Sequence, residues 1–282
     1  MNYALELKNV CKQYDGFALK DVNITLPQGC IMGFIGENGA GKSTTIKLIM
    51  DLIHRDSGEI KVLGKDNLTQ LEEVKEQIGV VMDENCFAEC LCLSDINQML
   101  KHMYKNWQPA VFLDWGKRFG LPADKVIKDY SRGMKMKLSI AVALSHKAKI
   151  LLLDEATSGL DPVVRDEILD VFLEFIQEED HSIFLSSHII SDLEKICDYI
   201  TFIHKGRILL CQEKDEMLET YGILKCTQQE FERLDKGMVL GYRKNAFGVE
   251  ALVRKKDVKG RFIVDHAGIE DVMLFMVKSE AY

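Results

Sequence analysis

The run GENGAGKST at Gly36–Thr44 constrains this chain more than any other stretch. It fits the pattern G-x-x-x-x-G-K-[ST], which works where a buried strand turns sharply into a helix. Both flanks agree. CIMGFIG, before the loop, is a short unbroken apolar run of the kind a buried strand shows, and STTIKLIMDLI, after it, puts Ile46, Ile49, Leu52 and Ile53 at helical spacing. Gly36, Gly39 and Gly41 allow backbone amides to approach phosphate oxygens with no β-carbon in the way. Glu37, Asn38 and Ala40 complete the cradle, and the helix start at Lys42, Ser43 and Thr44 adds unpaired amides and partial positive charge. Lys42 is a point charge for β- and γ-phosphates, and the Ser43 hydroxyl is placed to ligate Mg²⁺.

A loop that holds a phosphate–Mg²⁺ unit needs a carboxylate partner. ILLLDE at Ile150–Glu155 supplies one: an apolar run reads as a buried strand, and Asp154 sits at its carboxyl end, where α/β sheets place their ligands. Asp154 suits the Mg²⁺ shell, and Glu155 suits orienting and deprotonating an attacking water. Around these motifs apolar strands alternate with helical patterns. VVRDEILDVFLEFIQEED reads as a helix, SIFLSSH as a strand, IISDLEKIC as a helix and YITFIHKGRILL as two strands, which predicts a parallel α/β core. YALELKNVCKQY and ALKDVNITLPQG alternate like strands, and SGEIKVLGKD reads as a hairpin. In the mostly helical stretch from about 84 to 148, SDINQMLKHMYKNW is expected to begin at Ser94 as N-cap and to turn Ile96, Met99, Leu100 and Met103 to one face.

The order of motifs resembles the nucleotide-binding subunit of ATP-binding cassette (ABC) transporters, over about Tyr3–Leu210. Tyr14 precedes the phosphate loop, where the family stacks an aromatic on adenine. YSRGMKMKL at Tyr130–Leu138 stands where the family signature reads LSGGQ, SGLD at Ser158–Asp161 matches the D-loop, and LSSH ends at His188, the switch histidine. The resemblance implies a phosphate-loop NTPase fold (ABC ATPase), α/β, with an antiparallel β subdomain, a helical subdomain at about 84–148 and a small α+β tail. It implies an ATPase domain over 1–220 and an accessory domain over 221–282. ATP and Mg²⁺ are the implied cofactors. Glu155, His188 and Lys42 are the implied catalytic groups. Ser131 and Gly133 are implied to meet the nucleotide of a second cassette, in a homodimer or heterodimer, with Asp161 beside it. Tyr130, Arg132 and Met134 depart from the signature. Asp83, in IGVVMDEN, stands where the family has its Q-loop Gln; an acid there can bind Mg²⁺ or water but cannot donate amide hydrogen bonds.

Composition bounds the partners. A formal charge of −8, with 36 Lys+Arg against 44 Asp+Glu, argues against a general nucleic-acid binder. No run of apolar residues is long enough to span a membrane, and MNYALELKNVCKQYDGF lacks a signal-peptide core, so the expected place is the cytoplasm, at the inner face of the membrane through a separate transmembrane permease subunit. The eight cysteines are scattered and are expected as reduced thiols packed like small hydrophobes. SRGM-type signatures look like those of bacterial exporters whose membrane subunit is a separate chain, and the C-terminal 60 or so residues resemble the small tail of cassettes from bacterial drug, bacteriocin and peptide exporters. An importer subunit is the alternative, and a non-transport ABC ATPase a more distant one.

Overall fold

A computed structural model describes residues 2–83, 86–258 and 262–279. The chain opens with β1 (Tyr3–Tyr14) and β2 (Phe17–Pro27), an antiparallel hairpin that pairs Tyr14 with Phe17. In β2 the buried residues Leu19, Val22, Ile24 and Leu26 alternate with more exposed ones, so one face of this sheet is apolar. Next come β3 (Ile31–Ile35), buried throughout, and α1 (Lys42–Ile49). β4 (Ser57–Val62) and β5 (Lys65–Asp66) return to the first sheet, whose order is β2-β1-β4-β5.

The chain continues through α2 (Leu71–Lys75) and β6 (Ile78–Val81) to three helices, α3 (Leu93–Met103), α4 (Pro109–Arg118) and α5 (Arg132–Leu144). There follow β7 (Ile150–Asp154), α6 (Pro162–Phe175), β8 (Ser182–Ser186), α7 (Ile190–Ile196), β9 (Tyr199–His204) and β10 (Arg207–Glu213). The central sheet has the order β10-β9-β3-β8-β7-β6. Its pairings are parallel except β9 with β10, as continuous apolar strands joined by helices predict. The consequence for function is positional. The carboxyl ends of β3, β6, β7 and β8 gather on one edge, and with them the phosphate loop, Asp83, Asp154–Glu155 and His188.

One apolar core fills the space between the antiparallel sheet and the central sheet, with Phe34 against Phe184 at its middle. The other core lies on the opposite side and runs from the central sheet into α3, α4 and α5. The C-terminal part is α8 (Lys214–Thr220), β11 (Tyr221–Cys226), α9 (Gln228–Arg233), β12 (Val239–Asn245), β13 (Gly248–Arg254), β14 (Ile263–His266) and α10 (Ile269–Ser279), with a sheet of order β12-β13-β11-β14. Among the described residues only Leu224, Ala251 and Val253 form a buried core of its own. Ile223, Leu252, Ile269, Val272 and Phe275 join the larger core beside Leu193 and Ile196.

Some local expectations are corrected. Helix α1 stops at Ile49 because Asp51 is left-handed, with φ 52°, so Leu52 lies beyond it and is exposed. Helix α3 begins two residues earlier than Ser94 as N-cap implies. Cys92 is its N-cap, and the Asp95 carboxylate accepts from the Cys92 amide at 2.9 Å. On that helix Ile96 and Leu100 are buried, but Met99 and Met103 face out. Among the cysteines only Cys197 is buried, while Cys86 and Cys90 are exposed, so packing as small hydrophobes does not describe them all.

Candidate functional site

The phosphate loop is held from three sides. Gly206, in the β9–β10 turn, donates its amide to Ala40 O at 3.0 Å. A β-carbon at Gly36 would stand 2.5 Å from Ile203 O, and one at Gly41 would stand 2.5 Å from Leu19 Cδ2. Gly41 has φ 118°, a conformation open to glycine, and it is the N-cap of α1. No side chain caps α1 there, so its first amides keep their hydrogen-bonding capacity for an incoming anion. The same packing brings the β1–β2 hairpin against the loop, because Phe17 and Leu19 touch the Gly41 position and Tyr14 pairs with Phe17. Tyr14 is 40% exposed, with Lys12 Nζ 5.5 Å from its ring centre.

Lys42 is buried and curls back over the loop. Its Nζ donates to Gly36 O at 2.8 Å and to Glu37 O at 3.4 Å, and lies 3.6 Å from Glu155 Oε1. Glu37, Asn38 and Gly39 are exposed at the loop tip, as is Ser43 in the first turn of α1, while Thr44 is half-buried. Asp154 is buried at the end of β7 and accepts from Ser186 Oγ at 2.6 Å. Glu155 follows with φ 53°, an uncommon backbone for a non-glycine residue, and its amide donates to Ser186 O at 3.1 Å. That twist turns the Glu155 carboxylate toward Lys42 on one side and His188 on the other. His188 Nδ1 lies 2.7 Å from Glu155 Oε2.

The structure therefore brings Gly36–Thr44, Asp154, Glu155 and His188 into one cluster. Ser186 was legible only as part of the strand SIFLSSH; its hydroxyl on Asp154 emerges from the β7–β8 register, which sets Asp154 opposite Ser186. Glu37 Oε2 lies 3.5 Å from Nδ1 of buried His204, a pairing with no sequence signal. Ser131 is the N-cap of α5, its Oγ accepting from the Met134 amide at 3.2 Å, and Gly133 packs near Val164 of α6. Asp161 caps α6, its Oδ1 accepting from the amides of Val163 and Val164 at 3.1 Å each. Asp83, expected to serve Mg²⁺, gives its carboxylate to Arg132 Nη2 at 2.7 Å. Glu84, the adjacent acid, lies outside the described residues.

These groups suit a nucleotide triphosphate and a divalent cation. Glycine at Gly36 and Gly41 lets the loop lie directly on Ile203 and Leu19, the first amides of α1 are uncapped beside one buried ammonium, and a hydroxyl and a buried carboxylate supply hard oxygen donors. Among the described residues no three His, Cys, Asp or Glu side chains cluster as a protein-only metal cage.

The family described as ABC transporter matches residues 19–158. The ABC transporter ATP-binding protein YtrB of Bacillus subtilis is 31% identical over 77% of this chain and 74% of its own length. The bacitracin transport ATP-binding protein BcrA of Bacillus licheniformis is 34% identical over 74% of this chain and 69% of its own. The lantibiotic transport ATP-binding protein SrtF of Streptococcus pyogenes is 34% identical over 75% and 91% respectively. Among solved structures, one titled "Structure of ATP binding subunit of ABC transporter" superposes with a TM-score of 0.70, at 27% identity over 76% of this chain and 91% of that one.

Proposed function

The chain belongs to the ATP-binding subunits of ABC transporters, and from that premise we propose that it powers export of a peptide or drug-like amphipathic substrate through a separate membrane subunit. Subunits of this family bind and hydrolyse ATP, dimerise and work with membrane permeases. No helix among the described residues is long and apolar enough to cross a membrane; in this reading the membrane path belongs to the partner. In this reading the chain sits at the inner face of the membrane. The bacitracin and lantibiotic transport relatives support a peptide-like substrate.

The single observation that carries the chemistry is the position of Glu155, 3.6 Å from Lys42 Nζ and 2.7 Å from His188 Nδ1. When ATP enters, Lys42 exchanges its hold on the Gly36 and Glu37 carbonyls for β- and γ-phosphate oxygens, and Glu155 is released from it. The freed carboxylate takes a proton from water in line with the γ-phosphate, and His188 steadies that water and the γ-oxygens. Tyr14 offers a face for adenine, and Glu37, Asn38, Gly39, Ala40 and Thr44 frame the phosphates. Ser43 and Asp154 would hold Mg²⁺, whose contribution is to offset phosphate charge; Ser186 keeps the Asp154 carboxylate aimed. Ser131 and Gly133, together with Asp161, face the nucleotide of the second cassette. Asp83 is kept as a candidate near the cation, linked to Arg132. The chain divides into an ATPase unit over 1–220, with helical residues 84–148 toward the membrane subunit, and an accessory unit over 221–282.

The test uses inside-out vesicles holding the membrane subunit and this chain. Export predicts ATP-dependent accumulation of a labelled peptide antibiotic inside the vesicles. ATP hydrolysis without accumulation there, with uptake into right-side-out vesicles, establishes import.

A further inference from the structure

Arg132 joins three segments of the chain. It opens α5 directly after Ser131, and its Nη2 donates to Asp83 Oδ1 at 2.7 Å. Its guanidinium also covers Gly159, where a β-carbon would stand 2.8 Å from Nη1 and 2.9 Å from Cζ. Each segment borders the chemistry. Strand β6 pairs with β7 so that Val81 lies opposite Leu153, and Asp83 and Glu155 each follow that pair by two residues along their own segments. Gly159 lies in the turn that follows Glu155 and leads to Asp161.

Local electrostatics explain why the pair forms. The first turn of α5 carries Arg132 and Lys135 and no acid. Cations at a helix N-terminus oppose its macrodipole, so this turn needs anions from elsewhere. Asp83 supplies one and Glu89, whose Oε1 lies 3.9 Å from Lys135 Nζ, supplies another. Both acids belong to the segment that follows β6, and the backbone adds Lys128 N to Glu89 O at 3.0 Å and Ile127 N to Leu91 O at 2.9 Å. Arg132 and Asp83 are each about half exposed (side chains 52% and 51%), so the pair adds little to global stability. A role in placing α5 is thereby separable from a role in folding.

We propose that Arg132 is a positioning residue for ATP hydrolysis. Gripped by Asp83 and laid flat on Gly159, it fixes the start of α5, with Ser131 and Gly133, relative to the turn that carries Glu155. The proposal rests on the reading that the start of α5 meets nucleotide. Arg132, one of the three residues at which the signature departs from the family, and Asp83, where the Q-loop Gln is expected, then act as one unit: among the described residues each is the other's ion-pair partner.

The experiment measures ATP turnover and KM of the full chain for wild type, Asp83→Ala, Arg132→Ala, the double variant, Asp83→Asn and Arg132→Lys. Each alanine variant is expected to lose about fivefold or more in kcat with KM changed less than about twofold, and the double variant to be no slower than the worse single. Asp83→Asn should lose as much as Asp83→Ala, and Arg132→Lys should recover part, since an ammonium keeps the ion pair but not the flat contact. Melting temperatures within a few degrees of wild type separate positioning from unfolding; if Arg132→Ala does not fold, the Asp83→Asn and Arg132→Lys results decide. Wild-type kcat in either single variant, or a double variant slower by the product of the two losses, overturns the proposal. Failure of the ATPase reading itself shows differently, as no hydrolysis by wild type and no change on Glu155→Gln.

Discussion

His188 and Glu155 face each other across the ends of two adjacent strands, Nδ1 to Oε2 at 2.7 Å, although 33 positions separate them in sequence. The contact needs both the parallel pairing of β7 with β8 and the left-handed backbone of Glu155, φ 53°. Residues held in sparsely populated backbone regions cost of order 1–3 kcal/mol and persist where surrounding structure determines them. Here the Glu155 amide is fixed by Ser186, whose backbone oxygen accepts at 3.1 Å and whose Oγ accepts at 3.2 Å. The strained residue is the one whose side chain reaches both Lys42 and His188.

Glu155→Gln retains the shape and loses the base. Hydrolysis is expected to fall by about 100-fold or more while ATP affinity stays within a few-fold, because Lys42, the loop amides and Asp154 remain. Steady-state turnover and calorimetric ATP binding check this; turnover near wild type removes Glu155 from the role of base.

Ser131→Arg in the Glu155→Gln background should bind ATP as a monomer and fail to dimerise with it. The added bulk and charge fill the surface at the start of α5 that a second nucleotide must approach, next to Arg132. Sedimentation with and without ATP reads the outcome, and an ATP-dependent dimer equal to that of Glu155→Gln alone places the interface elsewhere.

Gly36→Ala should destabilise the fold and the site together. Its β-carbon would meet Ile203 O at 2.5 Å and Ile203 Cγ2 at 2.8 Å, so backbone of β9 must give way. The cost is of order 1–3 kcal/mol, read from the denaturation midpoint. ATP affinity should fall as well, since Gly36 O is the closest acceptor of Lys42 Nζ. A midpoint equal to wild type would show that the loop has room that its packing denies.

His146 should make stability depend on pH. It is buried and stacked on Tyr104 with ring centres 4.2 Å apart, and burial pushes its imidazole below the ordinary 6.5. The fold thus favours the neutral ring. Below the unfolded value of about 6.5 the unfolded chain binds the extra proton, so this contribution is present above that pH and lost as pH falls. His146→Phe keeps a ring on Tyr104 and removes the titration. The fall in melting temperature between pH 7.5 and 5.5 is expected to be smaller in the variant; an equal fall assigns the pH dependence to other groups.

The strand–loop–helix at Ile31–Ile49 was legible in the sequence because its parts are contiguous. An apolar run, glycines and a helical period all lie within reach of one another, and local backbone rules suffice to assemble them. Asp154 and Glu155 were legible for the same reason, as the end of an apolar strand. The membership of Gly36–Thr44, Asp154, Glu155 and His188 in a single cluster follows from the parallel α/β pattern, which sends all strand ends to one edge.

Only tertiary structure decided the rest. Asp83 and Arg132 are 49 positions apart and half exposed, so neither periodicity nor burial marks them as a pair; sheet order and the path of α5 bring them together. The hydroxyl of Ser186 on Asp154 depends on strand register, which a one-residue slip would abolish. The C-terminal segments show short apolar patterns of ordinary kind, yet most of their buried side chains complete the core beside α7 rather than one of their own. Apolar periodicity says that a face must be buried; it carries no address for what buries it, because the hydrophobic effect has no direction.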